Sequence, residues 1–375
     1  MADAVHVDLS EIVAHPLRSG IQRVEREALR HWPGPAPLLP CRVDGDGRLL
    51  RLPDAVLEVL CRDDDGSQEA RAAERLLLEE LAAQGTPVRA GAVRRLLNLE
   101  LFFGTTRAEA HIGFCGAGAK VLWYVYDFLP YLHPGLFPSG VIRNCMDYLR
   151  ALRAVPHLAF LSEQTRQDYV ARVIRRPAAG APVLLPGADS LALERQEFAP
   201  ERRDFVAIGT VEPRKNPLAL LRAFAGLWER GLDVPLVVAG RISPDAVEEL
   251  ALMRRFAGDP RLTVLEQPPD AVIRRLLRGA RAVVMPSELE GFGLPPYEAM
   301  HAGIPSIASA ALPSVGLLPA GVLKLPRMDP DSIAVAVESL LDDAAAERLW
   351  REAAGVRLPG WADFGKALGE WAQAA

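Results

Sequence analysis

The sequence predicts an α/β protein of two domains, the second built on a parallel sheet covered by helices. Three observations lead there. From about residue 204 onward, short apolar segments alternate with amphipathic helical ones, the pattern of strands joined by crossover helices. A length of 375 residues with 50 % apolar content is enough for two cores. Two glycine-containing polar segments, 209–216 and 290–298, each follow a strand and precede a helix, the place where open parallel sheets bind ligands.

In chain order, Val5 to Asp8 reads as a strand and Ile21 to Arg30 as a helix, followed by a proline-rich stretch over 32–37 and a charged helix near 67–84. A strand Val121 to Tyr126, a helix over 139–153 and a strand Leu158 to Leu161 come next. Ser162 caps a helix opening at Glu163, whose acidic first turn suits the helix dipole. A strand Val183 to Leu185 leads into a linker over Pro186 to Arg203.

Beyond the linker lie strands Phe205 to Ile208, Val234 to Ala239, Leu262 to Leu265, Ala282 to Met285 and Ser306 to Ala308. The helices between them cover 217–229, 245–256, 270–279 and 295–302. In the first of these, Leu218, Leu221, Phe224, Ala225 and Trp228 recur at helical spacing and form a core stripe. An amphipathic helix from Gly360 through Trp371 closes the chain.

The segment Glu290-Gly291-Phe292-Gly293-Leu294-Pro295-Pro296-Tyr297-Glu298 carries the most chemistry. Pro286-Ser287 ends the strand before it, Pro295 and Pro296 suit a first helical turn, and Gly303 stops the helix. Gly291 and Gly293 let backbone N–H groups approach a phosphate or hydroxyl, and the helix N-terminus adds partial positive charge. Glu290 and Glu298 are acceptors suited to vicinal hydroxyls, as on a ribose or hexose. Upstream, Gly209-Thr210-Val211-Glu212-Pro213-Arg214-Lys215-Asn216 sets a guanidinium fork beside a mobile ammonium, a pair able to clamp a diphosphate. Lys215 is one of only four lysines among 43 basic residues. Asn216 is the expected helix cap and Pro217 the first helical residue.

Together these segments resemble the donor-site signature of the family 4 glycosyltransferases, in particular the bacterial surface-polysaccharide type. The resemblance implies a GT-B fold: two Rossmann-like domains with parallel sheets facing a central cleft. It implies an acceptor-side domain over 1–190, a nucleotide-sugar donor domain over 191–358, and a terminal helix over 359–375 packing back on the first. It further implies a retaining, metal-independent hexosyltransferase that uses a nucleotide-diphosphate sugar, mannose being favoured, and a glycan or lipid-linked acceptor. Arg214 and Lys215 would stabilise the leaving diphosphate, Glu298 would bind ribose and Glu290 the sugar hydroxyls. Gly209 and the N–H groups from Gly291 to Leu294 would line the donor.

In the first half, Ser19-Gly20-Ile21-Gln22-Arg23 resembles the family loop facing the donor phosphates, with Ser19 where many members have a second glycine. Tyr126-Asp127 resembles a strand end that reads His-Asp in many relatives. Asp127 either orients or deprotonates an acceptor hydroxyl or caps the next turn. Ser162-Glu163-Gln164-Thr165-Arg166 matches a family segment beside the cleft, so Thr165 and Arg166 are candidate ligand contacts. Ser314 follows Pro313 where relatives carry Glu.

The net charge of −5 and the lack of a basic stripe exclude a nucleic-acid binder. Arginine clusters at 172, 175 and 176 and over 274–281 are compatible with weak peripheral contact to an anionic membrane. Four cysteines without paired spacing and no apolar run of membrane-spanning length suggest a reduced, cytoplasmic protein. The histidines form no metal-ligand motif and no Asp-x-Asp triplet occurs, so neither a metal nor a cofactor beyond the donor is expected. Gly113-Phe114-Cys115-Gly116-Ala117-Gly118 has the wrong glycine order for a dinucleotide fingerprint. A sugar-nucleotide epimerase, a phosphorylase or a non-catalytic scaffold subunit would share the architecture. Oligomeric state is left open.

Overall fold

The computed structural model describes residues 4–34, 36–62, 66–102 and 104–375. Met1 to Asp3 and Pro35 of the proline-rich stretch lie outside these. The backbone divides into two units, one of Met1–Gly187 with Pro359–Ala375 and one of Ala188–Leu358. The first division falls a few residues before the 190/191 boundary read from the sequence.

Among the described residues, the sheet of the first unit contains β1 (Val5–Asp8), β2 (Leu38–Val43), β3 (Leu49–Arg51), β4 (Thr86–Pro87), β5 (Arg95–Asn98), β6 (Lys120–Val125) and β7 (His157–Phe160). Their spatial order is β4-β3-β2-β1-β5-β6-β7. Pairings from β2 through β1, β5 and β6 to β7 are parallel, whereas β2–β3 and β3–β4 are antiparallel. Strands β2 to β5 went unread in the sequence: β2 is interrupted by Pro40 and Arg42, and the others are too short to show a period. Gly113 and Gly116 lie within a helix over Thr105–Gly116, and Gly118 in the turn after it. The expected strand at Val183 is reduced to a single parallel bridge with Phe160.

The closing helix, Trp361–Ala374, buries Trp361, Phe364, Leu368 and Ala372 within this same unit. Phe364 meets Tyr124 edge-on at 5.5 Å between ring centroids. Gly365 and Gly369 lie against His31 and Pro33 so closely that a Cβ at either would overlap them. Glycine is therefore required for the helix to seat at the end of the Gly20–Arg30 helix.

In the second unit, β8 (Asp204–Ile208), β9 (Leu236–Gly240), β10 (Leu262–Glu266), β11 (Ala280–Met285), β12 (Ser306–Ser309) and β13 (Val322–Leu325) form a parallel sheet in the order β10-β9-β8-β11-β12-β13. This is the doubly wound arrangement, whose order reverses between β8 and β11. The apolar stripe of the Pro217–Glu229 helix packs on one face, where Phe224 meets Phe205 and Trp228. The segment read as a free linker is anchored: Leu191 and Leu193 are buried in the core on the opposite face, and the Gln196 N–H donates to the Ala302 carbonyl at 2.7 Å.

Candidate functional site

A doubly wound sheet opens a crevice where its strand order reverses, because the crossovers on either side go to opposite faces. In the second unit this point lies past the ends of β8 and β11, and both donor-like segments start there. After β8 the Gly209 N–H still donates to the Ala239 carbonyl at 3.0 Å. A Cβ on Gly240 would collide with the Gly209 carbonyl, so the two glycine backbones lie in contact. A short 3-10 turn, Pro213–Lys215, then presents the two cations.

Asn216 corrects one expectation. It adopts a left-handed conformation, φ 58°, and its side chain does not cap the helix it precedes. Its amide instead donates to the carbonyls of Pro286 at 3.2 Å and Met328 at 2.8 Å. That bond ties the cationic turn to the end of β11, a tertiary role that local capping rules do not reveal.

Arg214 donates to Glu212 at 2.6 Å and lies 3.7 Å from Glu290. The Lys215 ammonium is 3.8 Å from Glu290, too far for a good hydrogen bond, so the carboxylate attracts both cations without saturating them. Ser287 fixes Glu290 by donating to it at 2.9 Å. Arg214, Lys215 and Glu290, 75 residues apart along the chain, thus form one half-buried cluster.

The loop behind Glu290 is held by Ser314. Its hydroxyl donates to the Gly293 carbonyl at 2.7 Å and its N–H to the Phe292 carbonyl at 2.9 Å. The residue replacing the family's Glu is therefore fully buried structural support for the loop. Gly293 has φ +94°, and a Cβ there would lie 2.9 Å from the Ser314 hydroxyl. Phe292 is buried edge-on against Tyr297, which leaves its backbone rather than its side chain to serve a ligand. The N–H groups of Gly291, Phe292 and Gly293 donate to no backbone carbonyl among the described residues. Glu298, on the buried side of the Leu294–His301 helix, accepts from Ser190.

In the first unit, Gly20 opens its helix behind the cap Ser19, whose hydroxyl accepts the Gln22 N–H at 3.3 Å. Asp127 accepts the Leu129 N–H at 3.0 Å, the turn-capping geometry weighed above. Two expected ligand contacts have local partners. Thr165 is buried, with its hydroxyl donating to the Tyr126 carbonyl at 2.7 Å, and half-buried Arg166 pairs with Glu163 at 2.9 Å. Tyr126, in place of the family His, is also buried and donates to the Leu99 carbonyl at 2.6 Å. Sequence reasoning missed the orienting residues Ser190, Glu212 and Ser287. Only Glu212 stood inside a motif, and the two serines carry no local signal.

Among the described residues, no group of three or more His, Cys, Asp or Glu side chains is placed to hold a metal ion, and no helix is long and apolar enough to cross a membrane. The crevice cluster instead combines two cations, a glycine loop and a helix N-terminus, an arrangement suited to a phosphorylated, hydroxyl-rich ligand.

Residues 191–356 match the family described as glycosyl transferases group 1. The match spans almost all of the second unit, Ala188–Leu358. Both segments of the crevice lie inside the matched residues. The chain is 35 % identical over 236 residues to O-antigen chain mannosyltransferase B of Escherichia coli, covering 60 % of this chain and 57 % of the relative. It is 27 % identical over 223 residues to GDP-mannose:cellobiosyl-diphosphopolyprenol alpha-mannosyltransferase of Komagataeibacter xylinus, covering 57 % and 55 %. The chain thus spans little more than half the length of these curated relatives. In fold it is similar to sucrose-phosphate synthase of Thermosynechococcus elongatus, with a TM-score of 0.66 over 98 % of both chains at 16 % identity. Both units have the Rossmann-like architecture of the GT-B glycosyltransferases.

Proposed function

We propose that this protein transfers a hexose, mannose by its similarity to mannosyltransferases, from a nucleotide-diphosphate sugar to a glycan or lipid-linked acceptor in surface-polysaccharide synthesis. The observation that carries the proposal is the meeting of Arg214, Lys215 and Glu290 at the β8/β11 switch point of a group 1 glycosyltransferase unit. The diphosphate takes the cations, whose charge grows in value as negative charge accumulates on the leaving group. Arg214 offers a planar fork already oriented by Glu212, and Lys215 a mobile point charge. Glu290 accepts from hydroxyls of the transferred sugar, the Gly291 to Leu294 backbone contacts sugar or phosphate, and Glu298 accepts from the ribose.

In this proposal the two cations do the charge neutralisation, and no divalent ion takes part. Transfer retains the anomeric configuration: the acceptor oxygen attacks from the face the nucleotide leaves, forming the new C–O bond as the sugar–phosphate bond breaks, and its proton passes to the departing phosphate. Asp127 and Gly20 are assigned to the acceptor-side unit, and contact with a membrane surface is peripheral. Thermal shift with GDP, UDP, ADP and TDP and their common sugars, with and without EDTA, tests the donor assignment. Stabilisation by one nucleotide irrespective of EDTA is expected; a donor effect abolished by EDTA would refute the metal-free reading, and no effect from any nucleotide would favour a scaffold subunit.

A further inference from the structure

The first unit has its own reversal of strand order, between β1 and β5, and a buried network of charges fills it. Asp8 ends β1 and Glu100 follows β5, both out of solvent. Arg107, from the Thr105–Gly116 helix, bridges them, donating through Nε to Asp8 at 2.8 Å and through Nη2 to Glu100. Asp8 also accepts from Ser10 and from His111 Nε2 at 2.8 Å. Trp123 donates its indole N–H to His111 Nδ1 at 3.0 Å. An indole nitrogen only donates, so Nδ1 is bare, Nε2 carries the hydrogen, and His111 is neutral. Burial likewise holds the His111 pKa below its ordinary value.

Glu100 takes further hydrogen bonds from the N–H groups of Glu11 and Ile12 at 3.0 and 2.8 Å. Glu25, on the Gly20–Arg30 helix, is 0 % exposed beside Glu100, and neither of its oxygens has a hydrogen-bond donor among the described residues. The neighbouring cation Arg26 is turned away, to Glu74 at 2.7 Å and the Leu60 carbonyl at 3.0 Å. The Tyr126 hydroxyl is committed to Leu99. Two ionised carboxylates cannot satisfy each other, because both only accept.

We infer that Glu25 and Glu100 share one proton, forming a carboxyl–carboxylate bond that holds the middle of the Gly20–Arg30 helix near the ends of β1 and β5. Burial, then the charge of Glu100, pushes Glu25 well above the usual carboxylate range; burial and Asp8 raise Glu100 against the pull of Arg107. The facing groups are Asp8 from β1, Glu100 beyond β5, Arg107 and His111 from the Thr105–Gly116 helix, and Tyr126 beyond β6, with Arg26 on the same helix and Glu74 opposite it. The terminal helix meets this helix's end where Gly365 and Gly369 lie against His31 and Pro33. The bearing of the pair on transfer, through the Gly20 loop, rests on the function proposed above; the pair itself does not.

The sign of the pH effect follows from linkage. The folded pair keeps a proton that a solvated carboxyl, with an ordinary pKa of 4.5, releases at neutral pH. Stability conferred by the pair is therefore complete below the unfolded value and is lost as pH rises through the folded one. Each pH unit in between favours opening of the helix around Glu25 about tenfold. A glutamine at position 25 donates a permanent amide hydrogen to Glu100 and has no proton to lose.

Hydrogen exchange of the full chain from pH 6 to 9, corrected for intrinsic exchange and read over the Gly20–Arg30 helix, tests this without any assay of transfer. In the parent, the opening constant is expected to rise about tenfold per pH unit over part of this range. Glu25→Gln should be pH-independent, with protection at least equal to the parent's at pH 9. Glu25→Ala should lose protection at every pH. An equal slope in Glu25→Gln and parent overturns the proposal. So does a pH-independent parent, which decides the matter even if no variant folds.

Discussion

Lys215 differs from Arg214 in how its charge is held. Arg214 is braced by a 2.6 Å bond to Glu212, whereas Lys215 has only a 3.8 Å approach to Glu290. A loosely held ammonium can follow charge as it moves onto a leaving phosphate, so its value lies in the transition state. Lys215→Ala is accordingly expected to raise the barrier by about 3 kcal/mol, seen as a fall in kcat with donor KM little changed. Unchanged turnover would remove Lys215 from the mechanism. In the proposed function Glu298 serves binding instead: Ser190 donates to it and orients it without a ligand. Glu298→Ala should weaken nucleotide affinity by about 1.5–3 kcal/mol, the scale of hydrogen bonds to charged groups, and equal calorimetric affinities would refute the ribose assignment.

Among elements, legibility followed burial. Strands β8, β9 and β11 are covered on both faces and read as continuous apolar runs, so the alternation from 204 onward was plain in the sequence. The antiparallel margin β2–β3–β4 was not, because its strands are short and interrupted. The crevice motifs were legible because backbone approach demands glycine and phosphate chemistry demands Arg and Lys. The buried charges were invisible: nothing local in the sequence marks Asp8, Glu25 or Glu100 as buried, and Arg107 meets Asp8 and Glu100 only in the fold. Thr165 and Arg166 have local partners, the Tyr126 carbonyl and Glu163, that the motif alone does not reveal. The terminal helix provides a test at this scale. Gly365→Ala sets a methyl group against the His31 carbonyl, and overpacking of this kind costs about 1–3 kcal/mol. The expected result is a lower melting temperature and a red-shifted emission from Trp361, now 1 % exposed; an unshifted emission and melting temperature would show that the helix can reseat.

At the scale of the whole molecule, each unit has its own sheet, core and switch point, but the two switch points are used differently. That of the second unit gathers two half-buried cations around one carboxylate, while that of the first is filled by a buried network of charges. A ligand shifts an equilibrium only by its differential affinity, and the proposed nucleotide contacts all lie in Ala188–Leu358. At a nucleotide concentration about 100 times Kd, mass action stabilises the binding unit by about 2.7 kcal/mol. Hydrogen exchange with the nucleotide chosen by thermal shift should therefore slow over β8, the Pro213–Lys215 turn and the 290–298 loop, with the interior strands β1 and β5 of the first unit unaffected. Protection concentrated in β1 and β5 would transfer the donor to the other switch point and require the buried carboxyl pair to open for it.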